Sequence, residues 1–251
     1  MKDSGLRDKV VIVTGAAAGI GRATALRLAG EGASIAAADI NEAGLQSLGG
    51  ELDKLGSAHV LIPFNALDEV SSRATATRAV ERFGRLDVLC NIAGACRADH
   101  FLEIKLADWE RMFSINVGSL VAIIQSALPH LIETRGNIVN MASASALCGA
   151  PYWSAYAASK AAVASLSKCL AVEFSGKGVR VNAVCPGSVN TTLASTYTVP
   201  EGVDVALVQR LFPLYPAAEP EEIAAAVAYL ASAEARFVSG VAFNIDGGQL
   251  T

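Results

Sequence analysis

Short, continuously apolar runs recur along the chain and are separated by longer segments with helical spacing. The runs are KVVIVTG (9–15), ASIAAADI (33–40), HVLIPFN (59–65), LDVLCNIAG (86–94), GNIVNMAS (136–143), VRVNAVCPG (179–187) and GVAFNIDGG (240–248). Most do not alternate apolar with polar residues, the pattern of strands buried on both faces. Stretches such as ATALRLAGEGA and ERMFSINVGSLVAIIQSALPHLIE lie between them and read as helices. Parallel strands need crossovers of this kind, so the order predicts an α/β fold: a doubly wound parallel sheet of about seven strands with helices on both faces. No repeat, low-complexity tract or linker interrupts the alternation, which predicts one domain over residues 1–251. Residues 188–219 depart from it. They form a long excursion after the sixth run, at the sheet edge where open α/β folds bind ligands, and read as a substrate loop.

Composition narrows the function classes. Hydrophobic residues make up 52% and charged ones 18%, enough for a large core and too apolar for disorder. The net charge is −4 with no block of like charges, which argues against a nucleic-acid or anionic-membrane partner. No uninterrupted apolar run reaches the roughly 18 residues of a membrane span. Cys90, Cys96, Cys148, Cys169 and Cys185 are odd in number and scattered, without a C-x-x-C pair. They read as free thiols of a cytoplasmic protein. His59, His100 and His130 stand apart from one another and from acidic clusters, so no metal site is expected.

The stretch VVIVTGAAAGIGRA, Val10 to Ala23, admits two readings. A signal peptide would need a positive start, but Asp3 and Asp8 offset Lys2, Arg7 and Lys9, and its removal would delete the first strand. The other reading is a strand, a glycine turn and a helix that holds a dinucleotide. Gly15, Gly19 and Gly21 are spaced G-x-x-x-G-x-G; glycines there permit positive φ and close approach to a pyrophosphate, and a helix starting near Ile20 aims its N–H groups at the anion. The second run ends in Asp39, placed to accept bonds from both adenosine ribose hydroxyls and to repel a 2′-phosphate. Ala17, Ala18 and Ile40 offer no compensating positive charge, so the expected cofactor is NAD rather than NADP.

The chemistry concentrates in NMASASALCGAPYWSAYAASK, Asn140 to Lys160. Tyr156 and Lys160 are four positions apart, on one side of a helix. A free phenol titrates near ~10, and a nearby ammonium stabilises its anion. Ser143 ends the fifth run and can present a hydroxyl to the same ligand oxygen; Ser145 is a rival donor.

With these residues the chain resembles the short-chain dehydrogenase/reductase family over nearly its whole length. The match is carried by Thr14-Gly15-x-x-x-Gly19-Ile20-Gly21, Asn91-Ile92-Ala93-Gly94, Asn116, Ser143, Tyr156-x-x-x-Lys160, Pro186-Gly187 with Thr191, and Asp246-Gly247-Gly248. The resemblance implies a Rossmann-like fold and a hydride exchange between nicotinamide and a secondary alcohol or ketone. It implies Tyr156 as general acid/base, Lys160 on the nicotinamide ribose, Ser143 polarising the substrate oxygen, and Asn116 holding a water in a proton relay. Cofactor contacts are implied at Gly15, Gly19, Ile20, Gly21, Asp39, Asn65, Asn91, Ala93, Gly94, Pro186, Gly187, Val189 and Thr191, besides Tyr156 and Lys160. Two positions depart from the family: Asn65 stands where an aspartate often meets the adenine amine, and Ile92 where a second asparagine is common.

Cys96, Cys148, Tyr152, Trp153 and the segment around Leu193 to Leu214 are expected to face a mostly apolar substrate pocket, without paired arginines to clamp a carboxylate or phosphate. The expected substrate is a neutral alcohol or ketone of medium size. The helix AYAASKAAVASLSKCLAVEF is apolar on nearly all sides and rich in small residues, which suggests a subunit interface. The resemblance implies a homotetramer, with a dimer as second choice. An NADPH-dependent 3-oxoacyl-type reductase is the rival within enzymology, disfavoured by Asp39. A nucleotide-sensing binding protein without catalysis is the rival of another class, and turnover abolished by Tyr156→Phe would exclude it.

Overall fold

The computed structural model describes residues 4–193 and 199–251. Each predicted run forms a strand: β1 (Val10–Thr14), β2 (Ser34–Asp39), β3 (His59–Pro63), β4 (Val88–Asn91), β5 (Asn137–Met141), β6 (Arg180–Pro186) and β7 (Ala242–Ile245). They make one parallel sheet in the order β3-β2-β1-β4-β5-β6-β7. The chain steps outward from β1 to β3, then returns to lay β4 beside β1. That reversal opens a crevice beyond the carboxyl ends of β1 and β4.

The continuous apolar runs are explained by the two layers that cover the sheet. Val11 and Val13 point into one core with Ile35 and Ala37, under α1 (Gly19–Gly30), α2 (Glu42–Lys54) and α8 (Pro220–Ala231). Val10 and Ile12 point into the other with Ala36 and Ala38, under α3 (Glu69–Phe83), α5 (Ser119–Thr134) and α6 (Ser154–Glu173). Every residue of β1 is buried, and each such aliphatic side chain contributes roughly 1.5–3 kcal/mol. Helix boundaries follow local chemistry. The Asp68 carboxylate accepts the Val70 N–H and starts α3, and Gly84 ends it in the left-handed region at φ 75°. Pro220 and the reciprocal Glu219–Glu222 capping box start α8.

The single helix read between residues 110 and 133 is a broken one. α4 (Leu106–Phe113) passes through a π-helical turn, Ser114–Gly118, into α5. By length and composition alone, Leu106–Thr134 could cross a membrane. In the fold its Leu120, Ile123, Ile124, Ala127 and Leu131 are buried between the sheet and α3. α6 turns Val163, Ala164, Ser167 and Ala171 inward and leaves Ser165, Lys168, Cys169 and Val172 on an outward face, open to the subunit contact expected of this helix. The excursion after β6 is pinned at its base, where Asn190 N–H donates to Ala218 O (2.8 Å) and Ala218 N–H to Ser188 O (3.0 Å). It contains α7 (Val205–Gln209); residues 194–198, inside the predicted substrate loop, lie outside the described residues.

Candidate active site

The crevice at the switch point is a cavity of about 590 Å³. Its floor is the turn after β1. Gly15 and Gly19 have φ of 68° and 50°, and a Cβ on Gly21 would sit 2.0 Å from the Gly15 carbonyl oxygen. Only glycine fits that position, so the turn passes close to α1 and leaves room for a ligand at the helix start. Ala18, the N-cap of α1, provides no side-chain cap for the first-turn N–H groups. Uncapped donors beside an open cavity suit an anion such as a pyrophosphate. The turn is tied to β4 by Thr14, whose Oγ1 accepts the N–H groups of Ile92 (2.9 Å) and Ala93 (3.0 Å).

Asp39 lines the cavity at the tip of β2. Its Oδ2 accepts the Ala17 N–H (3.0 Å) and its Oδ1 the Asn41 N–H (2.9 Å). Both bonds come from backbone, so the carboxylate is fixed in orientation and keeps lone pairs for ribose hydroxyls. Ile20, Ala93, Gly94, Pro186, Gly187, Val189 and Thr191 also line the cavity. Gly187 is another forced glycine, because a Cβ there would come within 2.8 Å of Asp246 Cα.

Two expected cofactor contacts are not brought to the cavity. Asn91 shares the strand parity of Leu89 and so points into the layer under α5 and α6. Its amide donates to Asn140 Oδ1 (2.9 Å), and Asn140 donates in turn to Ser167 on α6 (2.9 Å). Asn91 therefore links sheet to helix. Asn65 is exposed and shapes the entry to α3: its Oδ1 accepts the Leu67 N–H and its own N–H donates to Ser71 Oγ, each at 3.0 Å.

The chemical half of the cavity gathers Ser143, Tyr156 and Lys160. Ser143 lies two residues past β5 and caps a short 3-10 turn. Its Oγ accepts from Ser145 twice, from the N–H (3.2 Å) and from the hydroxyl (2.9 Å), which leaves the Ser143 proton free to face a ligand oxygen. Lys160 is only 4% exposed; its Nζ donates to Met141 O (2.8 Å) and lies 5.9 Å from the Tyr156 ring centre. Burial pushes its pKa down to about 8. Cys96 and Cys185 are its neighbours, but burial pushes their thiols up to about 12 and about 11, so neither offers a thiolate at neutral pH.

Asn116 sits at the centre of the π-helical turn, the kind of local widening that often marks functional positions. It is buried and does not line the cavity. Its Oδ1 accepts the Ala95 N–H (2.8 Å), and its Nδ2 donates to Ala95 O (3.0 Å) and Ser159 Oγ (2.9 Å). A Cβ on Gly94 would come within 3.1 Å of both Asn116 Oδ1 and Lys160 Nζ, so Gly94 lets these two groups approach one backbone segment.

The cavity wall also carries the apolar side chains of Cys96, Ala150, Trp153, Leu193, Val208, Leu211 and Phe212, a substrate end on the side of the wall formed by the excursion after β6. Of the side chains expected there, Cys148, Tyr152 and Leu214 do not line it. Lys160 is the only Lys or Arg in the wall among the described residues. Sequence reasoning missed Gln249. Asp246 curls the C-terminal segment inward by accepting the N–H groups of Gly248 and Leu250, and the Asp246-Gly247-Gly248 triplet is the signal that could have pointed to it.

Comparison with known proteins gives a consistent picture. Residues 15–249 match the family model described as enoyl-(acyl carrier protein) reductase. The 3-oxoacyl-[acyl-carrier-protein] reductase of Thermotoga maritima is 37% identical over 97% of this chain and 98% of its own. The meso-2,3-butanediol dehydrogenase of Serratia marcescens is 38% identical over 96% of this chain and 94% of its own. A short chain dehydrogenase from Mycobacterium paratuberculosis bound to NAD superposes with a TM-score of 0.90 at 30% identity, covering 97% of this chain and 98% of that one. Another from Burkholderia cenocepacia, in complex with NADP, gives 0.88 at 33% identity over 98% of this chain and 99% of that one.

Proposed function

The chain belongs to the short-chain dehydrogenase/reductase family and is an oxidoreductase that uses a pyridine nucleotide on CH–OH donors, and from that premise we propose an NAD(H)-dependent secondary-alcohol dehydrogenase or ketone reductase. The observation that carries the reading is the meeting of Ser143, Tyr156 and Lys160 in the same crevice as a glycine cradle closed by Asp39. When bound, the nucleotide supplies the hydride acceptor or donor. Gly15, Gly19 and Gly21 give its pyrophosphate room, and the α1 start supplies N–H donors. Asp39 accepts from the adenosine ribose, and its charge opposes a 2′-phosphate. Tyr156 exchanges the proton with the substrate oxygen. Ser143, its own oxygen held by Ser145, donates to that oxygen as negative charge builds there. Lys160 holds the second ribose and keeps positive charge beside the phenol. Asn116 positions the Ala95 segment against Lys160.

The apolar wall suits a neutral substrate of medium size, and meso-2,3-butanediol is the first probe to try. The 3-oxoacyl reductase reading is kept alive by the Thermotoga relative, but among the described residues the wall has no Arg and no Lys besides Lys160 to clamp a phosphopantetheine arm. The outward face of α6, with Val172 77% exposed, supports a homotetramer, which light scattering reads directly. Five free thiols fit a reducing, cytoplasmic setting. Titration with NADH and NADPH, followed by nicotinamide fluorescence, tests the cofactor assignment. NADH is expected to bind at least tenfold more tightly, with the gap closing in Asp39→Ala. Equal or tighter NADPH binding to the unmodified protein sinks the NAD reading.

A further inference from the structure

Tyr152 does not line the cavity, yet its backbone is held in an uncommon state. Its φ is 73°, in the left-handed region that disfavours a bulky side chain, and Asp8 and Arg135 are the only other non-glycine residues with positive φ among those described. A conformation of this kind persists only where surrounding contacts over-determine it. Three do so. The Tyr152 carbonyl accepts the Asp99 N–H at 2.8 Å, from the segment between β4 and α4. The phenol oxygen accepts the Asp204 N–H at 2.8 Å, from the excursion after β6. The ring meets His100 edge-on, with centroids 5.4 Å apart.

His100 extends the same link. Its Nε2 lies 2.7 Å from Glu201 O. A carbonyl only accepts, so Nε2 carries the proton and donates. Tyr152 and His100 thus grip the excursion at two backbone groups, Glu201 O and Asp204 N–H. Asp204 is the N-cap of α7, its carboxylate accepting the Ala206 N–H at 2.9 Å. α7 carries Val208 into the cavity wall, followed by Leu211 and Phe212. Next to Tyr152, Trp153 lines the same end and precedes the helix bearing Tyr156 and Lys160.

We propose that Tyr152 and His100 are positioning residues that latch α7 over the substrate end of the cavity, the left-handed turn at Tyr152 aiming its phenol at the α7 cap. The substrate end is defined by the function proposed above, and the inference rests on that reading for its consequence in turnover. The latch itself does not depend on it.

Trypsin digestion of the full-length protein tests the latch, because Arg210 is exposed at the end of α7 and Leu211 follows it. Tyr152→Phe keeps the ring and removes one hydrogen bond, so cleavage after Arg210 is expected to speed up roughly three- to tenfold. Cleavage after Lys54 and Arg82, at the ends of α2 and α3, should stay at the unmodified rate. His100→Phe, which loses the bond to Glu201, should act the same way. With meso-2,3-butanediol and NAD, Tyr152→Phe should raise KM for the diol at least threefold while kcat changes less than twofold and NADH affinity is retained. Unchanged cleavage after Arg210, or equal acceleration at all three sites, overturns the latch. Faster cleavage with an unchanged KM overturns its role in the substrate end. If the unmodified protein leaves the diol untouched, the choice of substrate is what fails, and the trypsin comparison still decides the latch.

Discussion

At neutral pH the Lys160 ammonium is almost wholly removed from water, with the Met141 carbonyl as acceptor and no ionised thiol beside it. Its pKa falls from 10.5 to about 8 because burial disfavours the charge. An unfolded chain therefore binds more protons than the folded one between pH 8 and 10.5, and stability rises with pH across that window. Below pH 8 the charge costs the fold on the order of 3 kcal/mol. Lys160→Met should therefore be more stable than the unmodified, nucleotide-free protein at pH 7, and urea melts at pH 7 and 10.5 should show the advantage shrinking toward the higher pH. A variant less stable at pH 7 would mean that the bond to Met141 outweighs burial. The spacing of four placed Tyr156 and Lys160 on one side of a helix, but such a pair is common by chance; it was legible as a catalytic pair only in company with Ser143 and the glycine turn, through the family resemblance they carry together. The Ser143–Ser145 pairing was not: the two serines read as rivals, whereas the turn makes one the donor to the other.

Between residue and fold stands the strand–turn–helix unit of β1 and α1, which depends on Gly21. A Cβ there would lie 2.0 Å from Gly15 O and 3.1 Å from Ala16 N, backbone atoms that cannot swing aside. Gly21→Ala should spread the turn, weakening NADH binding by tenfold or more and lowering stability by about 1–3 kcal/mol, the range for overpacking. Fluorescence titration and denaturant melts measure the two effects, and NADH binding within twofold of the unmodified protein would refute the fit. The inner strands were readable because burial on both faces leaves an apolar mark on nearly every position of β1, β4 and β5, while the edge strands β3 and β7 are only partly covered. The π-helical turn around Asn116 was not, since one extra residue in a turn leaves the apolar spacing of α4 and α5 nearly intact. The side-chain direction of Asn91 was hidden for a related reason: its place in a motif says nothing of strand parity, which turns the amide away from the cavity toward Asn140.

Across the whole molecule, a parallel sheet must bring strands far apart in sequence into register, and Asp87 fastens β1 to β4 at the end opposite the cavity. Its Oδ2 accepts the Val10 N–H (3.0 Å) and Arg85 Nε (2.9 Å), while Oδ1 meets Lys9 Nζ (3.1 Å) and Arg85 (2.6 Å). The carboxylate is 3% exposed, whereas Lys9 and Arg85 are 37% and 49% exposed. Burial pushes its pKa up, but the bonds from Arg85, Val10 N–H and Lys9 together outweigh it and hold the group below its ordinary value. A depressed carboxylate contributes its full stabilisation above the unfolded pKa, near ~3.9, and loses it as pH falls through the lower folded value. Asp87→Asn leaves two cations that water can reach, so the cost is lost charge-assisted bonding rather than a stranded buried charge, about 1.5–3 kcal/mol at pH 7. Denaturant melts should show that difference persisting from pH 7 to about 5 and shrinking below about 4. A difference that stayed constant into acid would mean that Asp87 acts by shape and not by charge.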